Sequence, residues 1–183
     1  MFPYLYKITA DVTPLNEDCG LLCNSICCKP GDSDSLGIYL YPGEEKMFSG
    51  KENWLVWEKH HRDEQLFPPS WPQTVYFVKC IKGCPRHLRP LACRFFPLTP
   101  HITADNKLLL IHETLPLPYK CPLIEKKISL QREFINRVAH CWQLMLKDPR
   151  IYDLVEEDSR DRDIFNQKVE TVYNCGKIKI LPK

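Results

Sequence analysis

The chain has 183 residues, 44% of them hydrophobic and 26% charged, and its 25 Lys and Arg against 23 Asp and Glu leave a net charge of +2. This composition excludes a disordered chain and supplies enough apolar mass for a core; a charge so near balance gives no bulk pull toward nucleic acid or an anionic membrane. Ten cysteines and 16 prolines against only 7 glycines are the unusual counts, and they point to stiff, extended connections rather than glycine turns.

Phe2, Tyr4, Tyr6 and Ile8 alternate with other residues, which predicts a strand over residues 1–11. The same stretch lacks a basic region followed by a long apolar run, so no signal peptide is expected, and no apolar run approaches the length of a transmembrane helix. The expected location is the cytoplasm, where disulfides rarely persist. Thr13-Pro14-Leu15-Asn16 turns the chain, and Asn16 is placed to cap a short helix carrying Cys19, Cys23, Cys27 and Cys28, with Glu17 and Asp18 in its first turn. A strand is predicted over 36–41, and Pro42 opens a short helix with Glu44, Glu45 and Met47. Residues 54–57 and 74–79 predict two further strands, rich in aromatic and β-branched side chains, joined through the extended Phe67-Pro68-Pro69-Ser70-Trp71-Pro72. Residues 80–100 are punctuated by proline and show little periodicity; 108–112 predict another strand.

Ile124, Ile128, Ile135, Val138, Trp142 and Met145 recur at intervals that place them on one face of a helix over 122–147, expected to be the longest in the chain. Asp148-Pro149 ends it and caps a second helix running to about residue 157. A closing hairpin is expected, with strands near 169–173 and 178–181 around Asn174-Cys175-Gly176. The charge run over 156–163 reads as a solvated face. No repeat or domain boundary is evident. The expected architecture is a single α+β domain over 1–183: a small irregular domain with short strands, one long helix in the C-terminal half and cysteine-bearing loops knitted by metal.

The cysteines are clustered. Four lie in Cys19-Gly-Leu-Leu-Cys23-Asn-Ser-Ile-Cys27-Cys28, three more are Cys80, Cys84 and Cys93, and Cys121 precedes Pro122. Short spacings let two sulfurs reach one ion, and a distant second group can complete tetrahedral sites. On a regular helix or strand the adjacent Cys27 and Cys28 point different ways, so they are expected to serve two ions or to bridge from a helix end. Lys79, Lys82, Arg86, Arg89 and Arg94 surround the second group, and cations there lower thiol pKa and offset thiolate charge. Buried reduced cysteines and disulfides are the competing explanations. Core packing suits the isolated Cys141 and Cys175; metal ligation suits the eight clustered cysteines. His87 lies between Cys84 and Cys93 and is a further candidate ligand, whereas His60, His61 and His140 read as structural or surface residues.

The segment Arg89-Pro90-Leu91-Ala92-Cys93-Arg94-Phe95-Phe96-Pro97 resembles the Arg-Pro-x-x-Cys-Arg-x-Phe-Pro signature of the bacterial and archaeal cysteine-cluster proteins, described as zinc- or iron-chelating. The run ending in Cys27-Cys28 and the late Cys121-Pro122 resemble the same family. The likeness covers about residues 19–123, and here three residues, not two, separate the early cysteines. It implies metal binding. Some members are related to the protein that methylates flagellin lysines, so it also implies a modifying enzyme.

The expected ligands are Cys19, Cys23, Cys27, Cys28, Cys80, Cys84, Cys93 and Cys121, holding an iron–sulfur cluster or zinc. Sulfur-only donors suit these and not calcium or magnesium. Arg89 and Arg94 are expected to support the ligands. A metal ion is the expected partner; a protein partner is left open, and neither membrane nor nucleic acid is expected. The competing functions are a metal-stabilised binding or structural protein, an iron–sulfur redox or protein-modifying enzyme, and a thiol-redox or metal-storage protein.

Overall fold

The computed structural model describes residues 1–28 and 37–178. The chain opens with helix α1, Phe2–Ile8, where a strand was expected. Pro3 suits a first helical turn because its missing N–H has no partner to lose there. Phe2, Leu5 and Tyr6 are the buried residues, a spacing that belongs to a helix face and not to alternation.

Two small antiparallel sheets follow. The first has the order β1-β3-β2, with β1 Ile38–Tyr39, β2 Leu55–His61 and β3 Thr74–Cys80. Leu55 pairs with Cys80 and His61 with Thr74, so the register places Cys80 at the end of the sheet beside the core of Leu40, Trp54, Leu55 and Val78. The proline-rich connection is closed by Phe67 stacked on Trp71 at 4.3 Å and by Arg62, whose Nη1 donates to the Trp71 carbonyl at 2.7 Å. The second sheet has the order β4-β5-β6, with β4 Leu98–Ile102, β5 Lys107–His112 and β6 Thr171–Lys177. Pro100 sits in β4, an edge strand, where its missing donor costs no ladder bond.

The segment expected to be irregular contains a short helix, α2 Leu91–Phe95, before β4 begins. The helix expected over 122–147 is two: α3 Pro122–Glu125 and α4 Arg132–Met145. Lys127 breaks it by adopting a left-handed conformation, φ 49°, which a helix does not continue through. The longest helix is α5, Pro149–Ile164. It extends beyond the expected end through the charge run, because Ser159 and Arg162 on that run are buried. Arg162 donates to the Pro100 carbonyl at 3.1 Å and to Thr114 Oγ1 at 3.0 Å, tying α5 to β4. The closing hairpin is not formed as expected. Asn174, Cys175 and Gly176 lie inside β6, which pairs with β5 through register shifts; most of the expected second strand lies outside the described residues.

The larger core joins α1, α2, α4, α5 and the second sheet around Leu5, Leu91, Phe95, Leu110, Phe134 and Met145. A smaller one joins Leu40, Trp54, Leu55 and Val78 on the first sheet. Phe48 packs against both. Cys141 is fully buried in the larger core and Cys175 packs against it, as hydrophobes of their size do. Among the described residues no helix is long and apolar enough to cross a membrane.

Candidate functional site

The first four cysteines lie on two tight turns, not on a regular helix. Asp18 caps the first, Cys19–Leu22, its side chain accepting from Gly20 N at 2.9 Å. Asn24 and Ser25 are both left-handed, at φ 55°, which reverses the chain into the second turn, Ile26–Cys28. Ser25 N donates to Gly20 O at 2.8 Å, and a Cβ on Gly20 would lie 2.4 Å from Ser25 Oγ. Glycine there lets the turns close on each other.

The vicinal pair thus sits on a tight turn, outside the regular helix or strand for which divergence was expected. Cys27 and Cys28 Sγ atoms are 3.8 Å apart, because a tight turn does not hold neighbouring side chains apart as a strand does. Cys84 lies near enough to both Cys28 and Cys80 for these thiols to shift one another's titration. Sulfurs from the turn, the end of β3 and the loop after it are thus neighbours. Arg89 Nε donates to Cys84 Sγ at 3.4 Å. These donors, Cys28 and Cys80 with Arg89 beside them, hold the Cys84 thiol well below its ordinary pKa. A thiol has one proton, so Cys28 serves Cys84 or Cys27 but not both; Arg89 and Cys80 favour the charge on Cys84.

The other four expected ligands, Cys19, Cys23, Cys93 and Cys121, differ in burial. Burial pushes Cys93, on α2, up to about 12, with Cys84 adding to the rise. Burial likewise raises Cys19 to about 11, with Cys27 next in effect. Cys121 is buried where α3 begins, its pKa raised by burial and, more weakly, by Cys27 and Cys23. Cys23 turns back on its own segment, its Sγ 4.0 Å from Cys19 O. Among the described residues, no three His, Cys, Asp or Glu side chains stand in an arrangement that encloses one ion.

Arg94 does not support a ligand directly. Its guanidinium donates to Arg89 O at 2.7 Å, His87 O at 2.7 Å, Tyr6 O at 3.0 Å and Thr9 Oγ1 at 3.0 Å, and lies 4.3 Å over the Tyr6 ring. It clamps the Arg86–Leu88 turn to α1. His87 itself is exposed and contributes its carbonyl to that clamp. His60 is held on the first sheet by Tyr39 at 2.7 Å and Glu58 at 3.2 Å, away from the sulfurs.

Two parts of the site escape sequence reasoning. Glu44, fully buried, accepts from Tyr6 OH at 2.7 Å, Leu91 N at 2.8 Å and Tyr41 N at 3.0 Å; it fixes the start of the helix that carries Cys93. Burial raises its pKa, against the pull of those donors. The irregular strap Leu115-Pro116-Leu117-Pro118-Tyr119 lines a 670 Å³ cavity together with Cys19, Cys27, Cys28, Cys80 and Cys93. Its alternating prolines signal an extended segment, but nothing in one dimension says what it covers.

Comparison with protein-family models, with curated proteins and with solved structures found no match.

Proposed function

We propose that the protein binds metal through Cys19, Cys23, Cys27, Cys28, Cys80, Cys84, Cys93 and Cys121, as an iron–sulfur cluster or as zinc, in a reducing compartment such as the cytoplasm. The observation that carries this is the approach of Cys27, Cys28, Cys80 and Cys84, from segments more than 50 residues apart, with Arg89 Nε on Cys84. The donor set fits thiophilic metals: it is all sulfur, and the ten cysteines are unpaired thiols. The 3.8 Å between Cys27 and Cys28 sulfurs is close to the edge of a tetrahedral zinc–thiolate site, about 3.8 Å for bonds of about 2.3 Å. Arg89 supplies part of the countercharge that clustered thiolates need. The likeness of the Arg89–Pro97 segment and the Cys27-Cys28 pair to the cysteine-cluster proteins supports the same reading. Bound metal adds cross-links between the turn, the end of β3, α2 and the start of α3.

The cavity beside the sulfurs favours a second reading, an iron–sulfur-dependent redox or protein-modifying enzyme, protein lysine methylation being one such activity. Anaerobic purification followed by elemental and sulfide analysis and a visible spectrum tests both. Iron with acid-labile sulfide and a brown colour supports a cluster. Stoichiometric zinc without sulfide supports metal binding and removes the cluster-based enzyme. Protein that takes up neither iron nor zinc, with all ten thiols titrating freely, overturns the proposal.

A further inference from the structure

The 670 Å³ cavity has a second property that metal ligation does not use. Besides the sulfurs, its lining includes the apolar Val12, Ile38, Phe96, Leu115 and Leu117. Its volume lies in the range of small-molecule sites, about 300–1,000 Å³. Its charged lining is unbalanced: Arg86, Arg89 and Arg94 against Glu113. These cations are not equivalent. Arg94 spends its donors on the clamp to α1, and Arg89 turns to Cys84. Arg86 makes one side-chain hydrogen bond among the described residues, Nη2 to Val12 O at 3.0 Å, which leaves Nε and Nη1 for a ligand and fixes the guanidinium at the wall. Glu113 is turned back toward the strap, its Oε1 accepting from Thr114 N at 2.8 Å and Leu115 N at 3.1 Å, so the acid is tied to its own backbone.

We propose that this cavity binds a small organic anion with an apolar body, its acid group on Arg86 and its hydrocarbon under the Leu115–Tyr119 strap, with one end of the molecule against the sulfurs. A charge-assisted bond at one end orients the ligand, and apolar burial supplies affinity. This goes beyond the metal-binding reading: it rests on the cavity and stands or falls apart from what the sulfurs hold.

Titration calorimetry of the purified full chain with octanoate, octanol and octylammonium tests it, metal content being measured on the same sample. Octanoate is expected to bind one equivalent, about tenfold or more tightly than either other probe. Arg86→Gln is expected to bring octanoate down to octanol, and Leu117→Trp, filling the apolar wall, to weaken both. The proposal is overturned if octanoate shows no saturable binding, if octylammonium binds as well, or if Arg86→Gln leaves the preference for the acid intact. The comparison of the three probes decides the matter on the unaltered chain even where a variant fails to fold. Octanoate binding by a sample that takes up no metal leaves the cavity proposal standing while the metal reading falls; metal uptake without octanoate binding does the reverse.

Discussion

Arg94 shows how one side chain can organise a site without touching its chemistry. Its guanidinium satisfies three carbonyls and a hydroxyl drawn from α1 and the turn before α2. Truncation leaves those acceptors in a largely buried setting, so Arg94→Ala is expected to cost about 3 kcal/mol, read from urea denaturation. Arg94→Lys is not expected to recover it, since one ammonium cannot reproduce a planar fork. His101 offers a test at the same scale. It is buried on β4, its Nδ1 has no hydrogen-bond partner, and burial lowers its pKa from the ordinary 6.5. Below that value the unfolded chain binds the proton and the folded one resists it. Stability is therefore expected to fall as pH drops through about 6.5 toward the lowered value. His112 shifts in the same direction from burial and adds to the effect. His101→Gln is expected to flatten, not abolish, that acid limb in urea midpoints measured between about pH 5 and 8.

At the scale of elements, the division of the expected long helix separates two tasks. α3 is a single turn with Cys121 at its N-cap and Pro122 in its first turn. α4 is the core helix, placing Phe134, Val138, Trp142 and Met145 inward. Phe134→Ala is expected to cost about 3–5 kcal/mol by leaving a cavity. Asp148→Ala, which removes the cap that accepts from Arg150 N at 3.0 Å on α5, is expected to cost only about 1 kcal/mol. Equal losses in the two denaturation curves would contradict the assignment of α4 as the core helix. The strands β2 and β3 were legible from their β-branched and aromatic residues, and β5 from the short apolar run over 108–111 that follows Asp105-Asn106. α1 was not. In seven residues an alternating pattern and a helical one share Phe2 and Tyr6, and only burial of Leu5 rather than Tyr4 distinguishes them.

For the whole molecule, the sulfur-bearing segments meet where the smaller core ends: Cys80 and Cys84 pack against the cluster of Leu40, Trp54, Leu55 and Val78. Metal bound there would contribute folding free energy chiefly to that half. Chelation is accordingly expected to lower the melting temperature, with hydrogen exchange rising first in β1–β3 and the Cys19–Cys28 turns, while α4 and α5 stay protected. An unchanged melting curve after complete removal of bound metal would contradict this distribution of stability. The sequence by itself determined the mixed helix-and-strand architecture, several strand positions and the identity of the clustered thiols, because those follow from local periodicity and spacing. Only the tertiary structure decided that Cys27 and Cys28 face together, that Arg94 clamps while Arg89 meets sulfur, and that the strap walls a cavity. Each depends on left-handed turns and long-range packing, whose geometry is set by contacts between segments far apart along the chain.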